Sequence, residues 1–237
     1  MSVLSVPTEA VKFIAFQRTE VLKFPKSSAY SALKRLLPRA TYNLGVSLES
    51  RFFANRIKRF YARDIEQEFA LLRISLPIKA TCILDIGCGV AGLDALLYQH
   101  YGAVSPHLYL LDKSQTERGA LYGFKARGAF YNSLEIARAL LTENDVPPEK
   151  IHLVEANDAN SIDIESRPDL IVSLISWGFH YPVATYLEPV YELMQEGASL
   201  IMDVRKGTDG LATLSKRFAT VEVITEVSKF QRIRALK

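Results

Sequence analysis

The sequence is poor in cysteine and has no long uninterrupted apolar run. It contains two cysteines, Cys82 and Cys88, with no nearby Cys or His partners, which excludes a disulfide framework and a zinc site and predicts a reducing, cytoplasmic compartment. The longest uncharged stretch, residues 170–187, contains His180 and Pro182, so we predict no transmembrane segment. The first residues lack a signal-peptide pattern. With 49% hydrophobic and 23% charged residues, the composition is that of a folded globular protein.

The net charge of +3 hides a strong asymmetry. Residues 1–80 hold 14 Lys and Arg against 6 Asp and Glu, while residues 81–237 hold 15 against 20. We therefore predict a basic N-terminal helical cap over residues 1–79 and a second domain over residues 80–237. The basic part indicates an anionic partner, such as a phosphorylated or acidic substrate, a nucleic acid or a membrane surface. A solvated basic helical face remains the alternative, because charge alone does not choose between them.

Two different hydrophobic patterns divide the chain. Between Leu48 and Ile74, apolar side chains recur every three to four residues, which predicts one long amphipathic helix. From residue 81 onward, short apolar runs alternate with helical segments, a pattern typical of a parallel α/β sheet. Strands are predicted over residues 81–86, 107–111, 151–155, 170–175 and 199–204, followed by an antiparallel pair over 219–226 and 229–236.

The segment CILDIGCGVAGLD, residues 82–94, predicts a strand, a glycine-rich turn and a helix. Glycines allow positive φ and close approach of a ligand to the backbone. The next predicted strand ends at Asp112, where a carboxylate can accept both hydrogen bonds of a ribose diol. These features favour a cofactor that contains a nucleoside.

Asp85 discriminates between such cofactors. A carboxylate two positions before the first glycine would repel the diphosphate of a nicotinamide dinucleotide, whereas it would attract the sulfonium of S-adenosylmethionine. We therefore predict S-adenosyl-L-methionine as the cofactor. The competing function is an oxidoreductase that uses a nicotinamide cofactor. The alternative to a cofactor-binding role is that Asp85 only caps the following turn.

With Asp85, Gly87 and Gly89 in these positions, the sequence resembles the class I S-adenosylmethionine-dependent methyltransferases. The third glycine of their motif is replaced by Ala91, and a glycine follows at Gly92. The resemblance covers about residues 80–205 and implies a doubly wound, mostly parallel, seven-stranded α/β sheet of Rossmann-like type. It also implies that Asp112 binds the ribose, and that Asp158, with Asn157 beside it, contacts the adenine. The predicted cofactor-binding residues are Asp85, Gly87, Cys88, Gly89, Asp112, Lys113, Asn157, Asp158 and Ser176.

A polar and aromatic loop, SWGFHYP over residues 176–182, follows the fourth predicted strand, where ligands gather in open α/β sheets. His180 is the predicted catalytic base, because its pKa lies near neutrality and an attacking hydroxyl must lose a proton; a structural histidine is the alternative. No metal is predicted. The predicted substrate-binding residues are Trp177, Tyr181, Tyr131, Arg127 and Arg205, of which Arg127 and Tyr131 lie in a long loop over residues 113–132.

The segments GAFYNSLEIA and SLISWGFHYPVATYL are similar to bacterial proteins described as sugar O-methyltransferases. We therefore predict an enzyme that methylates an oxygen of a small-molecule or sugar hydroxyl, with S-adenosyl-L-methionine as donor. Two alternatives remain open at this point: a nucleic-acid methyltransferase, and a non-catalytic protein that keeps the fold and binds the cofactor. The sequence does not predict the oligomeric state.

Overall fold

A computed structural model describes residues 4–24, 41–114 and 132–237. The strands of its sheet are β1 (Cys82–Ile86), β2 (His107–Asp112), β3 (Ile151–Glu155), β4 (Leu170–Ser173), β5 (Ser199–Arg205), β6 (Thr220–Glu226) and β7 (Phe230–Leu236). The α-helices of the described residues are α1 (Ala10–Gln17), α2 (Thr41–Phe52), α3 (Ala54–Leu72), α4 (Gly92–His100), α5 (Leu134–Glu143), α6 (Leu187–Leu193) and α7 (Gly210–Arg217).

One seven-stranded sheet, in the order β3-β2-β1-β4-β5-β7-β6, forms the centre of the molecule. The first five strands of that order are parallel, and β7 pairs antiparallel with both β5 and β6. Strand order reverses between β1 and β4, so a crevice forms at their carboxyl ends. The predicted fold class and the predicted C-terminal antiparallel pair are both confirmed.

Helices cover both faces of the sheet, which explains why β1 is buried along its whole length. One core contains Ile57 and Tyr61 of α3 together with Leu97 of α4. The other core contains Val190 of α6 and Leu214 of α7. Because the N-terminal helices share a core with the sheet, they pack directly against it. The division into domains at residues 79 and 80 stays a prediction.

The prediction of one helix from Leu48 to Ile74 is wrong, because the helix is interrupted at Phe53. That residue has φ −123° and ψ 27°, so α2 ends before it and α3 begins after it. The buried carboxylate of Glu49 accepts hydrogen bonds from the backbone N–H groups of Lys23 and Phe24 and from the Arg56 guanidinium. These hydrogen bonds hold the corner between α2 and α3 against the backbone of Lys23 and Phe24.

Both cysteines are buried and unpaired. Burial raises the pKa of the Cys82 thiol to about 12 and that of Cys88 well above its usual range. Among the helices of the described residues, none has both the length and the apolar character that crossing a bilayer requires.

A buried arginine connects α3 to strands β5 and β7 of the sheet. The Arg232 side chain on β7 is 1% exposed and donates to Asp203 on β5 through Nε at 2.7 Å and Nη2 at 3.0 Å. The same Nη2 donates to Glu68 on α3 at 2.7 Å. Asp203 also accepts the backbone N–H of Ile175 at 3.2 Å, so the cluster extends to the loop after β4.

We expect Arg232→Ala to lower the free energy of unfolding by about 3–5 kcal/mol, because it leaves two carboxylates without their shared cation. The matched control is Arg234→Ala on the same strand, whose guanidinium pairs with exposed Glu222 at 3.5 Å. That change should cost no more than about 1 kcal/mol. Urea denaturation measures both values, and equal losses would contradict the importance of the buried cluster.

Candidate cofactor site

The glycine turn after β1 lies between the end of β2 and the loop after β4. Gly87 and Gly89 have φ values of +83° and +58°, which glycine adopts without steric cost. The N–H of Gly87 donates to the Leu111 carbonyl at 2.7 Å. A Cβ at Gly87 would lie 1.8 Å from Oγ of Ser176, so only glycine allows this contact. The structure therefore brings Gly87 and Ser176, two of the predicted cofactor-binding residues, into contact.

The unusual spacing of the third glycine has a local explanation. Ala91 is buried, has φ +62° and directly precedes α4. The N–H of Gly92 donates to Oη of Tyr61 on α3 at 3.1 Å. A Cβ at Gly92 would lie 2.3 Å from that Oη, so the glycine is required here by the contact with α3. Tyr61 was not among the predicted site residues, since its spacing in the sequence only indicates a core position.

Three carboxyl groups gather at this turn. Asp85 at the end of β1 is 4% exposed, and Asp94 in the first turn of α4 is fully buried. The two carboxyls lie within hydrogen-bond reach of each other, so a bond forms between them only when one carries a proton. No donor from another described residue reaches either Asp94 oxygen. The Asp94 side chain was not predicted as part of the site; its only signal was an acid shortly after a glycine turn.

The protonation of these acids reflects burial and mutual repulsion. Burial and the neighbouring carboxyls of Asp94 and Asp112 raise the pKa of Asp85 well above its usual range. Burial raises the pKa of Asp94 to about 7 and that of Asp112 to about 6. The cluster therefore holds protons more tightly than free carboxyls do, so a nearby cation would favour their release and a further anion would be repelled.

Asp112 is fixed against the glycine turn. Its Oδ2 accepts the N–H of Gly89 at 2.9 Å and its Oδ1 accepts the N–H of Lys113 at 2.7 Å. These bonds use two of the roughly four acceptor positions of a carboxylate, so the others remain for a ligand. The buried side chain of Asn132 lies beside Asp112 and lowers its pKa, which opposes the effect of burial. Oδ1 of Asn132 accepts a hydrogen bond from Nε2 of Gln17, at the end of α1, at 3.5 Å. Neither Asn132 nor Gln17 was predicted.

The residues after β3 lie at the exposed edge of the site. Asn157 closes its own loop by donating from Nδ2 to Oγ of Ser161 at 2.9 Å. The Asp158 side chain is 87% exposed and lies 3.8 Å from Nζ of Lys113. The structure therefore brings Lys113 and Asp158 together, while the Asp158 carboxylate stands apart from the buried acids.

The loop after β4 places Ser176 and Tyr181 near Asp85 and Asp112. Ile175 has φ +51°, a strained conformation for a β-branched residue. Oγ of Ser176 and Oη of Tyr181 are 3.4 Å apart. Burial, followed by smaller effects that include the carboxyls of Asp112 and Asp85, raises the pKa of the Tyr181 phenol. Trp177, by contrast, is fully buried and donates from Nε1 to the Val183 carbonyl at 2.8 Å, so its ring packs within the core.

His180 and Arg205 lie together on the β5 side of this loop. The His180 ring packs edge-on against Phe179 at 4.9 Å, and the Arg205 guanidinium lies 5.3 Å from the same ring. Burial and the positive charge of Arg205 lower the pKa of His180, so the imidazole is neutral at pH 7. The predicted substrate-binding residues Arg127 and Tyr131 lie outside the described residues.

Comparison with known proteins supports the fold. No family model and no curated protein matches the chain. The cofactor-bound structure of Rv0187 from MTB is similar to it, with 16% identity, coverage of 72% of this chain and 79% of that chain, and a TM-score of 0.53. A methyltransferase from Pyrococcus furiosus is 15% identical over 73% of this chain and 82% of its own, with a TM-score of 0.51. The StiE O-MT segment is 10% identical over 76% and 75%, also with a TM-score of 0.51. The chain thus has the Rossmann-like fold of class I methyltransferases.

The raised pKa values predict how Asp94→Asn changes stability. An acid whose folded pKa exceeds its unfolded value binds more protons in the folded state, so it destabilises the protein as pH rises from about 4 to above 7. Removing the Asp94 charge should reduce the loss of unfolding free energy between pH 5.5 and pH 8 by about 1–2 kcal/mol. Urea denaturation at both pH values measures the change. Asp145→Asn, at an exposed position in the turn before β3, is the control and should keep the wild-type pH dependence. An unchanged dependence in Asp94→Asn would contradict the acid cluster.

Proposed function

We propose that this protein is an S-adenosyl-L-methionine-dependent methyltransferase that methylates an oxygen of a small-molecule or sugar hydroxyl. The observation that carries the proposal is the buried cluster of Asp85, Asp94 and Asp112 at the glycine turn, whose carboxyls repel one another. A cationic ligand relieves that repulsion, and a diphosphate increases it. The fold of the chain supports the same conclusion.

The residues present fit this cofactor. The glycine turn lies directly beside the acids, and the acceptor positions of Asp112 that Gly89 and Lys113 leave unused suit the two hydroxyls of a ribose. Asp85 and Asp94 suit the positively charged end, and Asn157 and Asp158 are our candidates for the adenine edge. When bound, S-adenosyl-L-methionine supplies a methyl group on a positively charged sulfur. The predicted roles of Cys88, Lys113 and Ser176 in holding it belong to the same proposal.

The chain's own contribution to transfer is orientation and removal of a proton. A hydroxyl is a weak nucleophile until a base accepts its proton, and a neutral imidazole is such a base. His180 is our candidate because burial and Arg205 keep it uncharged at pH 7. Tyr181 and Arg205 are candidates for orienting the acceptor, together with Arg127 and Tyr131. Trp177 was predicted to bind the substrate, but its ring is buried in the core, so its proposed role is to hold the loop after β4 in place.

The sugar class of the acceptor is the finest part of the proposal and is supported by the similarity of residues 128–137 and 173–187 to bacterial sugar O-methyltransferases. A cytoplasmic location is supported by two buried thiols that form no disulfide. Methylation of a nucleic acid remains the competing activity, and the basic residues of the N-terminal part favour it.

Calorimetric titration tests the cofactor assignment directly. We expect S-adenosylmethionine and S-adenosylhomocysteine to bind, with NAD at least ~100-fold weaker because its diphosphate meets the acids. Asp85→Asn should weaken S-adenosylmethionine ~10-fold or more by removing a buried charge from the cationic ligand. Asp145→Asn, in the turn before β3 and therefore at the amino ends of the strands, should bind as the wild type does. Tighter binding of NAD than of S-adenosylhomocysteine would overturn the proposal.

His180→Ala tests the proposed base once mass spectrometry has identified a methylated product in lysate supplied with labelled donor. The variant should keep its affinity for S-adenosylhomocysteine and lose ~10²–10⁴-fold in kcat. The wild-type pH profile should show an acid limb below pH 6.5, in keeping with the lowered pKa of His180, and the variant should lack it. His107→Asn, at the other end of the sheet, is the control. Full turnover in His180→Ala would remove the residue from the mechanism.

A further inference from the structure

The corner between α2 and α3 exposes apolar and basic side chains together. On α2, Leu44, Leu48 and Phe52 are 46%, 44% and 69% exposed, and their spacing of four residues places them on one helix face. Phe53 at the break is 53% exposed. Soluble proteins rarely leave such a continuous group of large apolar side chains in water without a partner.

Two arginines lie beside the aromatic end of this apolar group. Arg51 and Arg59 are exposed, and both line a shallow groove that Phe52 and Phe53 also line. No ion pair with another described residue holds either arginine. We call Leu44, Leu48, Arg51, Phe52, Phe53 and Arg59 the corner patch.

The sequence around the corner patch has almost no compensating acid. Residues 41–63 contain five Lys and Arg and one acid, Glu49, which is buried and bonded to Arg56. This segment therefore carries a clear excess of positive charge. A second copy of the chain would bring like charge against like charge, which disfavours self-association through this surface.

We propose that the corner patch docks on an anionic lipid bilayer. Anionic headgroups complement the arginines, and the apolar side chains enter the boundary between headgroups and acyl chains. Single-stranded nucleic acid is also anionic, but bases stack on aromatic rings, and the aliphatic Leu44 and Leu48 offer no such platform. An aliphatic and aromatic face bordered by arginines therefore fits lipid better.

Flotation with lipid vesicles tests the proposal on the full chain. We expect binding to vesicles of phosphatidylcholine with about 30% phosphatidylserine, none to phosphatidylcholine alone, and a fall in binding as salt rises. The double variant Arg51→Glu with Arg59→Glu should lose ~10-fold or more in affinity. Phe52→Ser keeps the charge and should weaken binding several-fold, which separates insertion from simple attraction.

The matched control reverses two exposed cations elsewhere, Lys216→Glu with Lys229→Glu, so that the net charge changes equally. This control should bind vesicles as the wild type does. An equal loss in the control would mean that net charge alone drives binding, which overturns the proposal. Vesicle binding that survives in the Arg51 and Arg59 variant, or tight binding of a single-stranded oligonucleotide without vesicle binding, overturns it as well. Circular dichroism melting confirms that each variant is folded.

Discussion

Mutual repulsion of buried carboxyls at the ends of β1 and β2 is the constraint around which this structure is arranged. Isolated buried charges are costly, so a protein that gathers Asp85, Asp94 and Asp112 in one place must neutralise them with protons or with a ligand. The hydrogen bonds that Asp112 accepts from the backbone N–H groups of Gly89 and Lys113 offset only part of that cost. The free protein therefore has a site whose electrostatics favour a cation, in a fold whose crevice opens at the same edge.

Helix α3 holds this crevice from outside the sheet. Tyr61 accepts the N–H of Gly92 at the start of α4, so the glycine turn depends on a side chain 31 residues away. Glu68, two turns further along α3, reaches Arg232 and through it Asp203 and the N–H of Ile175. One helix thus connects to both loops that flank the site, and the N-terminal helices are part of the site's support.

Sequence patterns predicted the sheet because parallel strands are buried on both faces and appear as apolar runs separated by helices. They also predicted a second strand that ends at Asp112, and the structure brings this residue beside the glycine turn because the carboxyl ends of adjacent parallel strands meet there. The break at Phe53 escaped prediction because no proline or glycine marks it. Asp94 and Tyr61 escaped for a related reason: an acid near a helix start and an aromatic in an apolar stripe both have ordinary local explanations. Their roles depend on contacts across the fold that spacing does not encode.

The periodicity of α3 separates its two proposed tasks. Residues Ile57, Tyr61, Ile65 and Phe69 recur every four positions and are buried, so they form the face that packs on α4 and the sheet. Arg59 lies two positions from Tyr61, and two residues on a helix point about 200° apart, so it projects to the opposite side. A bilayer that holds the corner patch would therefore leave the contact between Tyr61 and Gly92 undisturbed. The proposed attachment and the support of the glycine turn therefore use opposite faces of a single helix, so a substitution in one need not disturb the other.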